Sequence, residues 1–345
     1  MPLSPHDVET VFQRDVDEIA EKAIAAYGLT FTQSAQTDLN EPLLRWADFA
    51  LRYIPPAPRQ ILVSNKFPIK NLTPEAEAGL HRIEQLFIEG GDVNPYQSKT
   101  LTRFNDTSSS KSQKRTDGLW ADWGIHHLHL PPNAVTAGRA YSDRSGWLLF
   151  LKVYSNAVLF IDVREHDEEN LFALQGLVET YIRNWPDDAE NYRIKGAVGL
   201  ARPTPPTDAE HKQLRDGGVS TMLEVDGKVY AGPGMGVTTA VTSVRVSLLR
   251  NKIRANTRLI AQEVARADGQ FMQKIQALGV SSPKFQLAIF PDGDMGIHEE
   301  TSGHVWRIPR HNPARPDNDL LCTWHNQFMP DWAGQTVAQY GAANP

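Results

Sequence analysis

Trp123-Gly124-Ile125-His126-His127-Leu128-His129-Leu130 places three of the chain's eleven histidines within four positions. A strand sends successive side chains to opposite faces. His127 and His129 therefore share one face, and His126 takes the other. Downstream come Arg139, Ser142, Asp143 and Arg144, then two apolar runs at 147–154 and 157–164, then His166. Ser155-Asn156 between the runs is a hairpin signal. The pattern predicts strands at 125–130, 147–154 and 157–164. An amphipathic helix over 170–184 follows, with Leu171, Leu174, Leu177, Val178 and Tyr181 on one side.

Outward from this block, the first ninety-five residues read as helical. Ser4-Pro5 is a cap-and-start pair, and Val8, Phe12, Val16, Ile19, Ala23 and Tyr27 recur at helical spacing up to Gly28. A second helix is predicted over 42–54, stopping at Pro55-Pro56, and a third opens at Thr73-Pro74 and stops at Gly90-Gly91. Ile61-Leu62-Val63 is a short strand candidate. The Ser- and Lys-rich stretch 107–115 reads as a mobile loop, and 203–206 (Pro203, Thr204, Pro205, Pro206) as a linker. Beyond it, Asp226-Gly227 turns a second hairpin. Gly232-Pro233-Gly234-Met235-Gly236 leads into a helix over 239–268, and strands at 285–290 and 304–308 flank Asp292-Gly293. The last stretch, rich in Pro, Asn and Asp, predicts an extended tail with a few packed aromatics such as Trp324. The fold class is α+β: a helical region 1–95, a central small twisted antiparallel sheet region 96–202, a C-terminal α/β-hairpin region 207–310 with a long basic helix, and a tail 311–345.

At 345 residues, 41% hydrophobic and 22% charged, the chain has the composition of an ordinary globular protein able to bury a sizeable core. It has no apolar run long enough to span a bilayer, so no membrane partner is expected. The N-terminal stretch lacks the basic and apolar segments of a signal peptide. One cysteine, Cys322, excludes an intrachain disulfide and any cysteine-rich metal site, which makes a reducing cytoplasm the simplest setting. The net charge of -6 carries no global nucleic-acid signal.

Two co-facial imidazoles suit either a metal or acid–base chemistry near neutral pH. A metal reading needs a third ligand, from Asp143 or His166, and the plain alternative is a pair of structural histidines. RNA cleavage by 2′-OH attack needs a base, an acid and a cation at the phosphorane. His127, His129 and His166 with Arg139 or Arg144 supply those groups, and Asp143 can orient an imidazole. The candidate catalytic set is thus His127, His129, Arg139, Asp143, Arg144 and His166, with no cofactor.

The run His127-Leu128-His129-Leu130, then Arg139, Ser142-Asp143, an apolar hairpin and His166 resembles the core of YafO-type toxins, among the RelE-like mRNA interferases. The resemblance covers residues 124–166. It implies a small twisted antiparallel sheet with helices on one side and metal-independent RNA cleavage, often on the ribosome. It also implies a setting in stress response or phage defence, with an antitoxin or self-association as further partners.

A second feature is a basic stripe. No acidic residue lies between Lys228 and Glu263, while Arg245, Arg250, Lys252, Arg254 and Arg258 all do. Arg250, Arg254 and Arg258 recur every four residues, on one helical face, which suits RNA backbone contact. The plain alternative is pairing with acidic residues of the N-terminal helices. The leading function is a toxin-like endoribonuclease. The alternatives are a metal-dependent hydrolase using His127, His129 and His166, and a non-catalytic nucleic-acid or partner-binding protein.

Overall fold

A computed structural model describes residues 3–33, 39–67, 71–197, 205–313 and 319–344. The chain is α+β, as expected, and divides into two compact units: residues 52–245, here the sheet unit, and residues 1–51 with 246–345, here the meander unit. In chain order the elements begin with α1 (Pro5–Ala26), α2 (Pro42–Arg52), β1 (Gln60–Val63), α3 (Pro74–Glu89) and α4 (Gly118–Trp123). Then come β2 (His126–His129), β3 (Trp147–Val153), β4 (Ala157–Glu165), α5 (Gln175–Asn184), α6 (Pro186–Ala189) and α7 (Asp208–Asp216). β5 (Leu223–Val225), β6 (Lys228–Tyr230), α8 (Val244–Ala265) and α9 (Gln270–Ala277) follow. β7 (Phe285–Ile289), β8 (Met295–Glu299), β9 (His304–Arg307), α10 (Leu320–Phe328) and α11 (Asp331–Ala343) complete the order.

Helix ends follow local chemistry. Thr73 accepts a hydrogen bond from Ala76 N ahead of Pro74, and Gly90 closes α3 in the left-handed region at φ 77°, where a Cβ is disfavoured. Asp117 caps α4 by accepting from Leu119 N and Trp120 N.

The central sheet has strand order β1-β4-β3-β2. β2, β3 and β4 pair antiparallel, as expected, but β1 pairs parallel to β4, so the sheet is mixed rather than purely antiparallel. The added strand is the candidate at 61–63, which joins this sheet from the otherwise helical N-terminal region. A parallel partner can be joined only through a long crossover, and pairing over such a separation leaves no trace in local sequence. Leu128, Leu149, Leu151, Val158 and Phe160 form one core cluster with Leu80, Ile83 and Phe87 of α3. Leu148, Phe150, Leu159 and Ile161 form another with Leu177, Val178 and Tyr181 of α5. Both faces of the sheet are therefore covered, which explains why β3 and β4 read as nearly continuous apolar runs.

The stretch 107–115 is tied down rather than loose. Asp106 accepts from Ser108 N (3.0 Å) and Ser108 Oγ (2.6 Å), and Arg115 donates to Ser109 O (2.8 Å) and Ala240 O (2.7 Å). The glycine loop 232–236 is a packing device. A Cβ on Gly234 would lie 2.4 Å from Trp120 O, and Gly234 N donates to Asp122 O at 2.9 Å. Of the expected linker, Pro203 and Thr204 lie outside the described residues.

In the meander unit, α1 packs on β7 and α11. Asp15 accepts from Leu287 N at 2.8 Å. Tyr27, Trp46, Phe49 and Trp332 form an aromatic cluster. β7, β8 and β9 form an antiparallel meander, the expected strand–turn–strand with one more ladder. The expected extended tail is largely helical, in α10 and α11. Its turn-favouring residues stand at helix ends rather than inside them: Asp319 caps α10 by accepting from Cys322 N, and Pro330 separates α10 from α11. Trp324, Phe328 and Val337 are buried.

Candidate acid–base pocket

A cavity of about 520 Å³ in the sheet unit is lined by His127, His129, His166 and Phe172 together with Asp117 and Lys212. The three histidines predicted from the strand pattern therefore meet. His127 and His129 project from β2 on one face, and His166 follows the last residue of β4. His126 points elsewhere, its ring edge-on to Trp120 at 6.3 Å. The His129 and His166 rings stack at 5.8 Å with 20° between planes, and Phe172 lies 5.0 Å from the His127 ring.

His127 is 9% exposed, with Nδ1 3.7 Å from Asp117 Oδ2. Among the described residues neither His127 Nδ1 nor His129 Nδ1 has a hydrogen-bond partner, although both atoms are buried. An unpartnered buried polar atom costs free energy, and for His127 the Asp117 carboxylate at 3.7 Å offsets part of it.

Burial pushes the His127 imidazole below its ordinary range; Asp117 opposes the shift, and Arg52 and His166 add to it. His129 is pushed down to about 4, first by burial and then by His127, His166 and Arg144. His126 falls to about 3, chiefly through burial. His127 and His129 are thus neutral at pH 7 and able to accept protons. Burial pushes Asp117 up, but His127, Arg52 and the Trp120 N–H outweigh it and hold the carboxyl below its ordinary range.

Behind the pocket lies a buried network. Asp122 Oδ2 accepts from Arg215 Nε (3.0 Å) and meets His211 Nε2 (3.0 Å), while His211 Nδ1 meets Thr221 Oγ1 (2.8 Å). Arg215 lies over the Trp123 ring at 4.5 Å and donates to Phe172 O at 2.5 Å. Its guanidinium thereby fixes the backbone that carries Phe172. Sequence reasoning missed Asp117, Phe172, Lys212 and Arg215. Asp117 was findable as an N-cap, and His211 and Arg215 share a face of α7 at i,i+4, but their partner Asp122 is some ninety residues away.

Arg139 and Asp143 do not share the histidine pocket. They pair with each other at 2.8 Å, both more than half exposed, and line a separate surface pocket with Arg144. Their spacing of four lets each satisfy the other within the loop, so Asp143 does not orient an imidazole. Arg144 reaches the histidines only through its charge on His129.

The proposed ligand set does not fit a metal. Among the described residues no group of three or more His, Cys, Asp or Glu could hold an ion.

The basic stripe is neutralised within the meander unit. Arg250 Nε meets Glu41 at 2.7 Å; Arg254 Nη2 meets Asp17 at 2.6 Å and Glu41 at 2.5 Å; Arg258 Nε meets Glu9 at 2.8 Å. Arg245, in the sheet unit, lies over the Trp120 ring at 5.1 Å. Lys252 and Arg258 stay exposed, Arg258 as the partner of Glu9. The acidic partners lie more than two hundred residues upstream, so the local charge count could not reveal them.

A second titratable cluster was also missed. Lys152, 6% exposed, donates to Tyr181 OH (3.0 Å) and Tyr192 OH (3.4 Å), and lies 3.6 Å from Asp188 Oδ2. Asp188 in turn accepts from Tyr154 and Tyr181. Burial pushes Lys152 down to about 8 against the pull of Asp188.

Comparison with protein-family models, with curated proteins and with solved structures finds no match to this chain.

Proposed function

We propose that the histidine pocket is a metal-independent acid–base site acting on an RNA phosphodiester. The observation that carries this reading is the meeting of three imidazoles in one cavity with an aromatic face. Neutral His129 takes the proton of a ribose 2′-OH. The oxygen attacks phosphorus, a 2′,3′-cyclic phosphate forms, and the 5′-oxygen leaves. His166, exposed at the rim beside His129, is placed to protonate that oxygen. Phe172, 38% exposed, offers a stacking face for a base. Lys212, which lines the same pocket and pairs with Asp216 at 2.6 Å, supplies a cation for the developing phosphate charge.

The likeness to RelE/YafO-type toxins belongs to this proposal. It is supported by the histidine strand at a sheet edge followed by two antiparallel strands; the parallel β1 and the second covered face are departures from it. A ribosomal site of action, an antitoxin and a cytoplasmic setting rest on that likeness and on the single cysteine.

The test is cleavage of an end-labelled RNA in EDTA. The unmutated chain should release cyclic-phosphate ends, with the acid limb of its pH–rate profile near 4, where His129 titrates. His129→Ala should slow cleavage by ~10²–10⁴-fold, the usual contribution of a general acid or base. RNA left intact by the unmutated chain, or cleavage abolished by EDTA, would overturn the proposal.

A further inference from the structure

Beside the histidine pocket lies a second cavity, of about 560 Å³, lined by Lys99, Arg103, Arg139 and Arg144 with Tyr141 and Asp143. Four cations face one carboxylate there, in a chain whose net charge is -6. Asp143 is matched by Arg139 at 2.8 Å, which holds that guanidinium in place, and Lys99 and Arg144 add positive charge to the same lining. The Tyr141 hydroxyl bonds Thr102 Oγ1, and Arg103 lies 5.8 Å over the Tyr141 ring. Ser142 N donates to Pro95 O at 2.8 Å, anchoring the loop. The cavity is therefore a fixed basic concavity rather than scattered surface charge.

The two cavities share walls. Ser98 and Thr100 line the histidine pocket, while Lys99 between them lines the basic one. Arg144 lines the basic cavity yet depresses His129 in the other. A chain of linked phosphates can therefore place one phosphodiester at the imidazoles and a neighbouring one among these cations.

We propose that Lys99, Arg103, Arg139 and Arg144 form a phosphate subsite that holds the backbone of single-stranded RNA flanking the bond cleaved at the histidines. This assignment rests on the RNA reading of the histidine pocket, and it gives Arg139 and Arg144 a binding role in place of a catalytic one. Contacts of this kind release counterions, so affinity falls with salt, with a slope near 0.7 per phosphate neutralised on a single strand.

The test is fluorescence anisotropy with a 2′-O-methyl RNA 12-mer, which cannot be cleaved by 2′-OH attack, across about 50–200 mM salt. Lys99→Gln with Arg103→Gln should weaken binding about tenfold at low salt and flatten the log–log salt slope by about 1.4, two contacts' worth. Lys99→Glu alone is the second variant, should the double one unfold by circular dichroism. An unchanged slope in a folded variant overturns the subsite even if the unmutated chain cleaves RNA. A flattened slope supports the subsite even if that chain cleaves nothing, in which case only the nuclease reading falls. No binding of the 12-mer by the unmutated chain overturns the subsite.

Discussion

Replacing Arg254 by methionine separates the two readings of the basic helix. The guanidinium is bound on three sides: by Glu41 through Nε (2.8 Å) and Nη2 (2.5 Å), by Asp17 through Nη2 (2.6 Å), and by Gln13 through Nη1 (3.0 Å). Side-chain exposures are 18% for Arg254, 16% for Glu41 and 34% for Asp17. An exposed ion pair contributes at most ~1 kcal/mol, whereas breaking a fully buried one costs ~3–5 kcal/mol because a charge is left behind without its partner. This cluster lies between those limits. Glu41 keeps Arg250 after the substitution, so the cost falls chiefly on Asp17 and on the Gln13 carbonyl. We expect Arg254→Met to destabilise the meander unit by about 2–3 kcal/mol. In an Asp17→Asn background the penalty should shrink by about 1 kcal/mol, because no carboxylate is then left uncompensated. Urea denaturation followed by tryptophan fluorescence reads both; guanidinium chloride would screen the pairs under study. RNA affinity should not change, because these cations are already neutralised. A loss below about 0.5 kcal/mol together with weakened RNA binding would refute the reasoning.

Two further outcomes follow from buried ionisable groups. His129 and His126 are depressed to about 4 and about 3 in the folded chain, against 6.5 when unfolded, so only the unfolded chain takes up their protons as pH falls below 6.5. Stability should therefore be fully present above that value and drop by at least about 2–3 kcal/mol per pH unit near pH 5; His126→Gln should lower the slope by about 1.4 kcal/mol per pH unit, and urea midpoints that stay level from pH 7 to pH 5 would contradict the burial. Lys152 is lowered from 10.5 to about 8, so between those values the unfolded chain holds the proton more tightly and stability should rise with pH. Lys152→Met should abolish the rise between pH 8 and 9.5; a persistent rise would assign it to another group.

Elements set by near neighbours were legible in the chain. The capped ends of α1 and α3, the β3–β4 hairpin and the shared face of His127 and His129 follow from periodicities and turn residues acting over a few positions. The gathering of His166 beside them could be anticipated because a single hairpin separates it from β2. In the tail, composition rich in Pro, Asn and Asp predicts an extended chain, but these residues stand at helix boundaries, where they delimit helices rather than break them.

Only the tertiary structure decided which charges meet. Arg250, Arg254 and Arg258 look like a free cationic face until Glu41, Asp17 and Glu9 are brought against them. Arg139 and Asp143 look like parts of the histidine site until the loop pairs them with each other. Asp117 and Arg215 carried only local signals, and Phe172 and the Lys152 cage none, because burial, which makes them consequential, is created when distant segments pack. A charge's worth depends on the dielectric around it and on the partner within a few ångströms, and both are properties of the folded chain rather than of residue order.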